Sequence, residues 1–570
     1  MSANSEVAEI LYEIGEILTI KGDRYRSRAY NMAAQRVLGT PEDVAKVMEE
    51  GRLQEIPGIG GSISQVITEF LETGESSVLE ELRESLPHGV RDMMELEGIG
   101  PKLAIRLNKE LGITSIDLLE EATRKHRIRD LKGFGEKSEQ NILESIRAYR
   151  SRKSRFLLGA VLPVIQDILA FMSEHPSVMR VEVAGSARRR KETVGDLDVL
   201  VASNEPEEVS NRFVGMPPVE RVLQHGATKS TVVLERQLQV DLRVIPPEVY
   251  GAALQYFTGS KEHNVKLRTI SVQRGYKLSE YGLFKRESNK LVAAETEEEI
   301  YRSLGMDWIP PELREAQGEI EAALEHRLPE LVELDQIRGD LHAHTRWSEG
   351  NTSIRDMVEK ARGMGMEYIA VTDHSKALGI ANGLDEDRLR EQMRAIDEIN
   401  EGMEDFTVLR GIECDIMSDG SMDLADDVLE DLDWVIGSIH SGLRQDPDKM
   451  TDRILEAVYN PNVDAIGHPT GRLIQRRKPI QFDLERVFEA AAEQGVLMEI
   501  NAYPERLDLS DVNCRNAMEH GVKICIGSDS HDASQMEFLP MGVSVARRGW
   551  LRPEDVVNTL KADEVIRLVN

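Results

Sequence analysis

Residues 185–201 read GSARRRKETVGDLDVLV, and the organisation of the chain follows from what this stretch requires. Side chains two apart on an extended chain point the same way. Asp196 and Asp198 are therefore expected on one face of a strand over residues 194–201, with Leu197 and Val199 on the other. Two carboxylates about 4 Å apart repel by about 4 kcal/mol at an effective dielectric of about 20, so the pair asks for a cation. A wet edge strand is the plainer alternative; a divalent-metal site needs a third acid and an anionic substrate. The third acid is at hand in LQVDLRVI, where Asp241 stands alone among mostly apolar residues. Gly185 and Ser186 can bring backbone amides and a hydroxyl to a phosphate, and Arg189 adds a charged fork. Three carboxylates beside such a turn suit nucleotidyl transfer with two cations, Mg or Mn.

With 570 residues the chain exceeds one ordinary core, and several domains are expected. No run reaches the length of a membrane span, and the N-terminal MSANSEVAEILYEIGEI is charged from Glu6 onward, unlike a signal peptide. Cys414, Cys514 and Cys525 form no CxxC pair, so the expectation is a cytoplasmic protein without disulfides or a thiolate zinc site. A net charge of −31 at first argues against nucleic acid, but residues 331–570 hold 47 acids against 26 bases and carry most of the excess. Bases gather at RAYRSRKSR (147–155) and ARRRK (187–191), which leaves room for a basic track on an acidic protein.

Three segments repeat one pattern: IPGIGGSISQVI (56–67), LEGIGPKLAIRL (96–107) and LKGFGEKSEQNIL (131–143). In each, two glycines one residue apart (Gly58 and Gly60, Gly98 and Gly100, Gly133 and Gly135) precede a predicted helix. Tight turns there can present free N–H groups and a positive dipole end to phosphate. One such turn means little; three inside an all-helical stretch resemble the helix-hairpin-helix motif, which grips DNA backbone without reading sequence. From Phe156 the texture changes to a helix and then strands at RVEVAG, DLDVLVA, STVVLE and LQVDLRVI, a mixed sheet.

Beyond residue 336, short apolar strands alternate with amphipathic helices, the pattern of an α/β barrel with function at the strand C-terminal ends. Those ends carry His342 and His344 (DLHAHT), His374 (TDHS), Glu413 (GIECDI), His440 (SIHS), His468 (GHPT), and Asp529 with His531 (GSDSH). A lone histidine is usually a satisfied structural residue, but six of the chain's 13 at successive strand ends are expected to converge. Imidazole with carboxylate suits Zn, Mn or Fe, and a set this large would hold three ions.

The first 315 residues resemble the family X DNA polymerases through GSARRRKETVGDLDVLV, VDLRVI, YFTGSKEHNVKLR and GYKLSEYGLF. The resemblance implies that Asp196, Asp198 and Asp241 are the catalytic metal ligands, and that Gly185, Ser186, Arg189 and Gly195 meet the incoming dNTP. It further implies that Tyr256, Phe257 and Gly259 pack against the sugar, and that Asn264 and Arg268 face the nascent base pair. Lys261 and Gln239 depart from the family pattern. So does Val66, which occupies the position of the family's Schiff-base lysine, with Ser62 at a neighbouring lysine; a 5'-deoxyribose-phosphate lyase is therefore doubtful, while Arg26 and Tyr30 are expected to hold a 5'-phosphate. Residues from about 335 onward resemble the polymerase and histidinol phosphatase (PHP) domain, whose remaining ligand, an aspartate in T-x-x-S-D-G, is here Glu349 of TRWSEG.

The expected architecture is multidomain. An all-α helix-hairpin-helix region comprises residues 1–90 (lyase-like) and 91–150. An α+β nucleotidyltransferase palm (151–250) follows with a fingers-like C-terminal polymerase subdomain (251–315), a linker (316–336) and an α/β PHP barrel, a distorted TIM-like fold (337–570). The expected function is gap filling in DNA repair with a 3'-5' exonuclease or phosphoesterase at the barrel. Its partners are gapped or primer-template DNA and dNTP, not membrane, and the expected state is a monomer. The alternative is chiefly a PHP phosphoesterase or abasic-site endonuclease whose polymerase half docks DNA.

Overall fold

In the computed structural model of the chain, residues 3–569 are described except 22, 40–43, 50, 57, 74–75, 85–87, 95, 97–98, 132–133 and 154. Their internal contacts divide them into two units, one of residues 1–154, 440–452 and 480–483, the other of the remainder.

The first unit is helical. Each glycine pattern opens a helix, at Gly61–Thr73, Pro101–Leu111 and Glu136–Lys153. Gly58 has φ +98°, and Gly100 is the extended N-cap residue before Pro101. Gly98 and Gly133 lie outside the described residues. Val66, on the first of these helices, is 2% exposed and belongs to the core with Ile63 and Ile67. Tyr30 corrects an expectation: it joins the same core beside Ala33 and Ala34, because its helix turns that face inward, whereas Arg26 is exposed.

In the second unit, strands β1 (Arg180–Val183), β2 (Leu197–Ala202), β3 (Val219–His225), β4 (Lys229–Leu234) and β5 (Gln239–Ile245) form a mixed sheet ordered β1-β2-β5-β4-β3. The strand expected over 194–201 is broken. Val194 and Leu197, an odd number of residues apart, are both fully buried: Val194 pairs with Phe156, while Leu197 opens β2 and pairs with Val240. The chain bends at Gly195 and Asp196 between them. Beyond Asp198, β2 is buried throughout, as a central strand beside a parallel neighbour must be.

Helix α1 (Gly185–Arg188) lies between β1 and β2; after the sheet come helices α2 (Tyr250–Thr258) and α3 (Lys261–Gln273), and a three-stranded antiparallel sheet of Tyr276–Ser279, Gly282–Lys285 and Leu291–Ala293. The stretch read as a linker is packed rather than solvated. Ile320, Ala323 and Leu331 share a core with Leu267, Leu283 and Ile300, and Glu319 is fully buried against His263 Nδ1 at 2.7 Å.

An ion cluster closes this region. Glu297 accepts both Arg188 amino groups at 2.9 Å and Arg314 Nη1 at 2.6 Å, with Arg314 wholly buried. Burial alone would raise the Glu297 carboxyl, but Arg314 and Arg188 pull it from 4.5 to about 2. Its contribution to stability is therefore present above about pH 4.5 and lost as pH falls toward 2. Glu297→Gln is expected to destabilise this unit by about 3–5 kcal/mol near neutral pH, because it strands buried arginines, and to remove this part of the acid dependence. Denaturant melts across pH 3 to 7 check both.

Strands β6 (Gly339–Ala343), β7 (Tyr368–Val371), β8 (Thr407–Asp415), β9 (Trp434–Ser438), β10 (Ala465–Ile466), β11 (Leu497–Asn501) and β12 (Ile524–Gly527) follow in sequence order, all parallel. A bridge between Ala343 and Ser530 nearly closes the barrel. Every strand contributes to one core, including Leu341, Tyr368, Leu409, Trp434, Ala465, Leu497 and Cys525. The three cysteines are free and buried. Among the described residues, no helix is long and apolar enough to cross a membrane.

Candidate metal centres and nucleotide site

Parallel pairing of β2 with β5 sets Asp198 directly beside Asp241, and the preceding bend brings up Asp196. Burial, then the charges of Asp196 and Asp241, push the Asp198 carboxyl up to about 6 against the opposing pull of Arg243 and Arg189. A proton held this readily marks excess negative potential, which a divalent cation would relieve, so the donor set fits Mg or Mn. Gln239 Nε2 donates to Asp241 Oδ1 at 3.2 Å.

Gly185 sits at φ +59°, and a Cβ there would overlap Asp198 Oδ2, so only glycine lets the phosphate turn approach the carboxylates. Ser186 is half-buried next to it, and Ala184 N donates to Asp198 O at 2.7 Å. Arg189 is oriented by two contacts, Nε to Glu315 Oε1 at 2.9 Å and Nη1 to Thr258 O at 2.6 Å. At the end of α2 the rings of Tyr256 and Phe257 meet edge to face, with centroids 5.2 Å apart, and Arg243 lies over Phe257. Gly259 follows directly. Asn264 is committed within the protein: Nδ2 donates to Tyr256 O at 2.7 Å and Oδ1 accepts from Gln255 at 2.8 Å. It holds the Tyr256 main chain rather than offering a free amide, and Arg268 Nε donates to its carbonyl.

In the barrel, His342 and His344 Nε2 atoms lie 3.1 Å apart, and Asp529 Oδ1 is 3.2 Å from His344. Glu413 bridges, with Oε2 2.8 Å from His374 Nδ1 and Oε1 2.9 Å from His468 Nε2. Glu349, though one methylene longer than aspartate, reaches His374 Nε2 at 3.2 Å and His531 Nε2 at 2.9 Å. His440 stands two residues beyond the end of β9. His342, His344 and Asp529 bring their ligand atoms within 4.8 Å of one another, and so do His344, His374 and His531. Burial, then His531 and His374, hold the His344 imidazole well below its ordinary value, hence neutral and able to ligate. Hydrogen bonds from His374 and then His531 hold the Glu349 carboxyl far down. Facing imidazole nitrogens among buried carboxylates fit a cation better than they fit each other. His468 and Asp529 have φ of +27° and +53°, strain of about 1–3 kcal/mol each of the kind found at ligand clamps.

Three supporting residues escaped the sequence reading. Glu499 on β11 is 1% exposed; it accepts from His342 Nδ1 at 2.6 Å and His468 N at 2.5 Å. A Cβ on Gly527 would strike both His342 and Glu499, which explains that glycine. Asp373 takes hydrogen bonds from Thr345, Ser348 and Gln392 and so braces the TRWSEG loop. Asn501 Nδ2 donates to Asp529 Oδ2 at 2.9 Å. For Glu499 the available signal was the one used for Asp241, an acid alone in an apolar strand, here in LMEIN. Because glutamine offers one acceptor for two donors, Glu499→Gln is expected to lower the barrel's metal affinity by about 10–100-fold, read by competition with a chelator.

Family models define the class. A DNA polymerase beta thumb matches residues 253–315, a helix-hairpin-helix domain 2–76, a SAM-like helix-hairpin-helix tandem 90–148 and a PHP domain 340–503. The chain is 37% identical to the DNA polymerase/3'-5' exonuclease PolX of Bacillus subtilis over 563 residues, 98% of each protein, and it belongs to that family. It is also 23% identical to rat DNA polymerase lambda over 344 residues, 55% of this chain and 56% of the relative. A probable phosphatase of Thermoanaerobacter is 32% identical over 231 residues, 39% of this chain and 89% of the relative.

Proposed function

We propose that this chain is a DNA-directed DNA polymerase of family X that fills short gaps in repair and trims 3' ends with its barrel. The observation that carries the reading is the register of Asp198 against Asp241 beside Gly185 and Ser186. Asp196, Asp198 and Asp241 would hold two divalent cations, Mg or Mn, whose chemistry is to acidify the primer hydroxyl and neutralise the triphosphate. Ser186, Arg189 and the main chain at Gly185 and Gly195 hold the triphosphate. Tyr256 and Phe257 pack against the sugar and disfavour a ribose hydroxyl, Asn264 keeps Tyr256 in place, and Arg268 faces the base pair.

His342, His344, Glu349, His374, Glu413, His440, His468, Asp529 and His531 would hold up to three Zn, Mn or Fe ions, which supply Lewis-acid activation of a 3'-terminal phosphodiester. The helix-hairpin-helix turns hold DNA backbone, and Arg26 meets a 5'-phosphate. A buried valine cannot attack an aldehyde, so the lyase reaction does not run through position 66. A monomer in the cytoplasm suffices for this work. The similarity of the barrel to a probable phosphatase favours, as a second reading, a phosphoesterase with a DNA-docking half.

One gapped duplex with a 5'-phosphate, incubated with Mg or Mn, with and without dNTPs, separates the two. Extension to the gap length with dNTPs, shortening without them, and arrest of both by chelation are expected. Shortening under every condition supports the second reading.

A further inference from the structure

The loop between the phosphate turn and the aspartate strand is held from the barrel side. Arg548, last residue of helix α4 (Leu539–Arg548), is 7% exposed. Its Nη1 donates to Arg189 O at 2.8 Å and to Glu312 O at 3.3 Å, and lies 3.3 Å from Glu315 Oε1. Its Nη2 donates to Asp511 Oδ2 at 2.5 Å, which anchors it in the barrel domain. The same Glu315 oxygen orients the Arg189 guanidinium. Three residues on, Arg472 of the barrel domain donates to Glu192 Oε2 at 2.7 Å and is itself fixed on Arg506 O at 3.0 Å. From Gly185 to Glu192 the loop is short and internally bonded, with Arg189 N donating to Gly185 O and Lys191 N to Ser186 O, which ties the anchored positions back to the turn.

We propose that Arg548 is a positioning residue for nucleotide addition: from the barrel domain it sets the main chain and side chain of Arg189, and through them the triphosphate pocket at Gly185 and Ser186. The inference rests on the polymerase reading above. It makes the hydrolytic domain part of the wall of the synthetic site, so that nucleotide affinity depends on a residue without a role in hydrolysis. A planar fork meets Arg189 O, Glu315 and Asp511 at once; a lysine point charge cannot span all three.

The test uses full-length wild type, Arg548→Ala, Arg548→Lys and Arg547→Ala. Arg547 is on the same helix and donates to Glu312 and to Val332 O; among the described residues it makes no hydrogen bond to the loop and acts there only through its charge on Arg190, so its variant controls for loosened packing and for a lost charge. Gap filling gives kcat and the KM for dNTP, shortening without dNTPs reports the barrel, and thermal midpoints report the fold. The expected result is a KM for dNTP raised about tenfold in Arg548→Ala, the loss of one charge-assisted hydrogen bond, with kcat and shortening within about twofold of wild type. Arg548→Lys lies between, and Arg547→Ala keeps the wild-type KM. Should Arg548→Ala not fold, a raised KM in Arg548→Lys with shortening intact carries the same conclusion. An unchanged KM in the folded Arg548 variants, or an equal rise in Arg547→Ala, overturns the inference while gap filling by wild type stands. A wild type that fills no gap overturns the polymerase reading first.

Discussion

Asp198→Asn is expected to lower nucleotide addition by at least about a thousandfold while leaving 3'-end shortening unchanged. Asp198 is flanked by Asp241 in register and by Asp196 from the bend, and its carboxylate occupies the space that a Cβ at position 185 would need. Asparagine preserves shape and removes charge. What is lost is cation binding, and with it several kcal/mol of stabilisation of the transferring phosphoryl group. Since the amide no longer repels its neighbours, the fold should not suffer; the variant's melting curve checks this. Single-turnover extension of a gapped primer measures the loss, and near-wild-type extension would remove Asp198 from the chemistry.

The converse expectation concerns His344, whose Nε2 faces His342, Asp529 and Glu413 at 3.1, 3.2 and 3.5 Å; its ring belongs to two groups of closely set ligand atoms. His344→Ala is expected to lower 3'-end shortening by about a thousandfold, with gap filling within about twofold of wild type. Shortening with excess enzyme on single-stranded DNA is the direct reading. If shortening persists, these imidazoles do not form the hydrolytic centre.

What could be read from the sequence divides by range. Strand-end histidines and the acids in apolar strands are local signals, and they named side chains that the fold sets close together, such as Asp198 beside Asp241 and His342 beside His344. The bend at Gly195 was hidden because Val194 and Leu197 look like one apolar run, and only their separate partners, Phe156 and Val240, force the break. Strand β3, VERVLQH, is largely exposed, so it carries no burial period to read. Glu297, Arg188 and Arg314 look like solvated charges until the fold buries them together, and Ile320 and Ala323 look like a connector until their neighbours are known. Arg548 meets Arg189 across 359 positions, a pairing no spacing rule reaches.

A chain with two separable centres, one making and one breaking phosphodiesters, should lose either reaction without the other. A gapped duplex whose labelled primer ends in a mismatch, incubated with dNTPs and resolved at single-nucleotide length, tests it most directly. Wild type should remove the mismatched nucleotide and then fill the gap, Asp198→Asn should only shorten, and His344→Ala should leave the mismatch in place while still filling gaps from a matched primer. Loss of both reactions together in either folded variant would mean that the two centres are not separable.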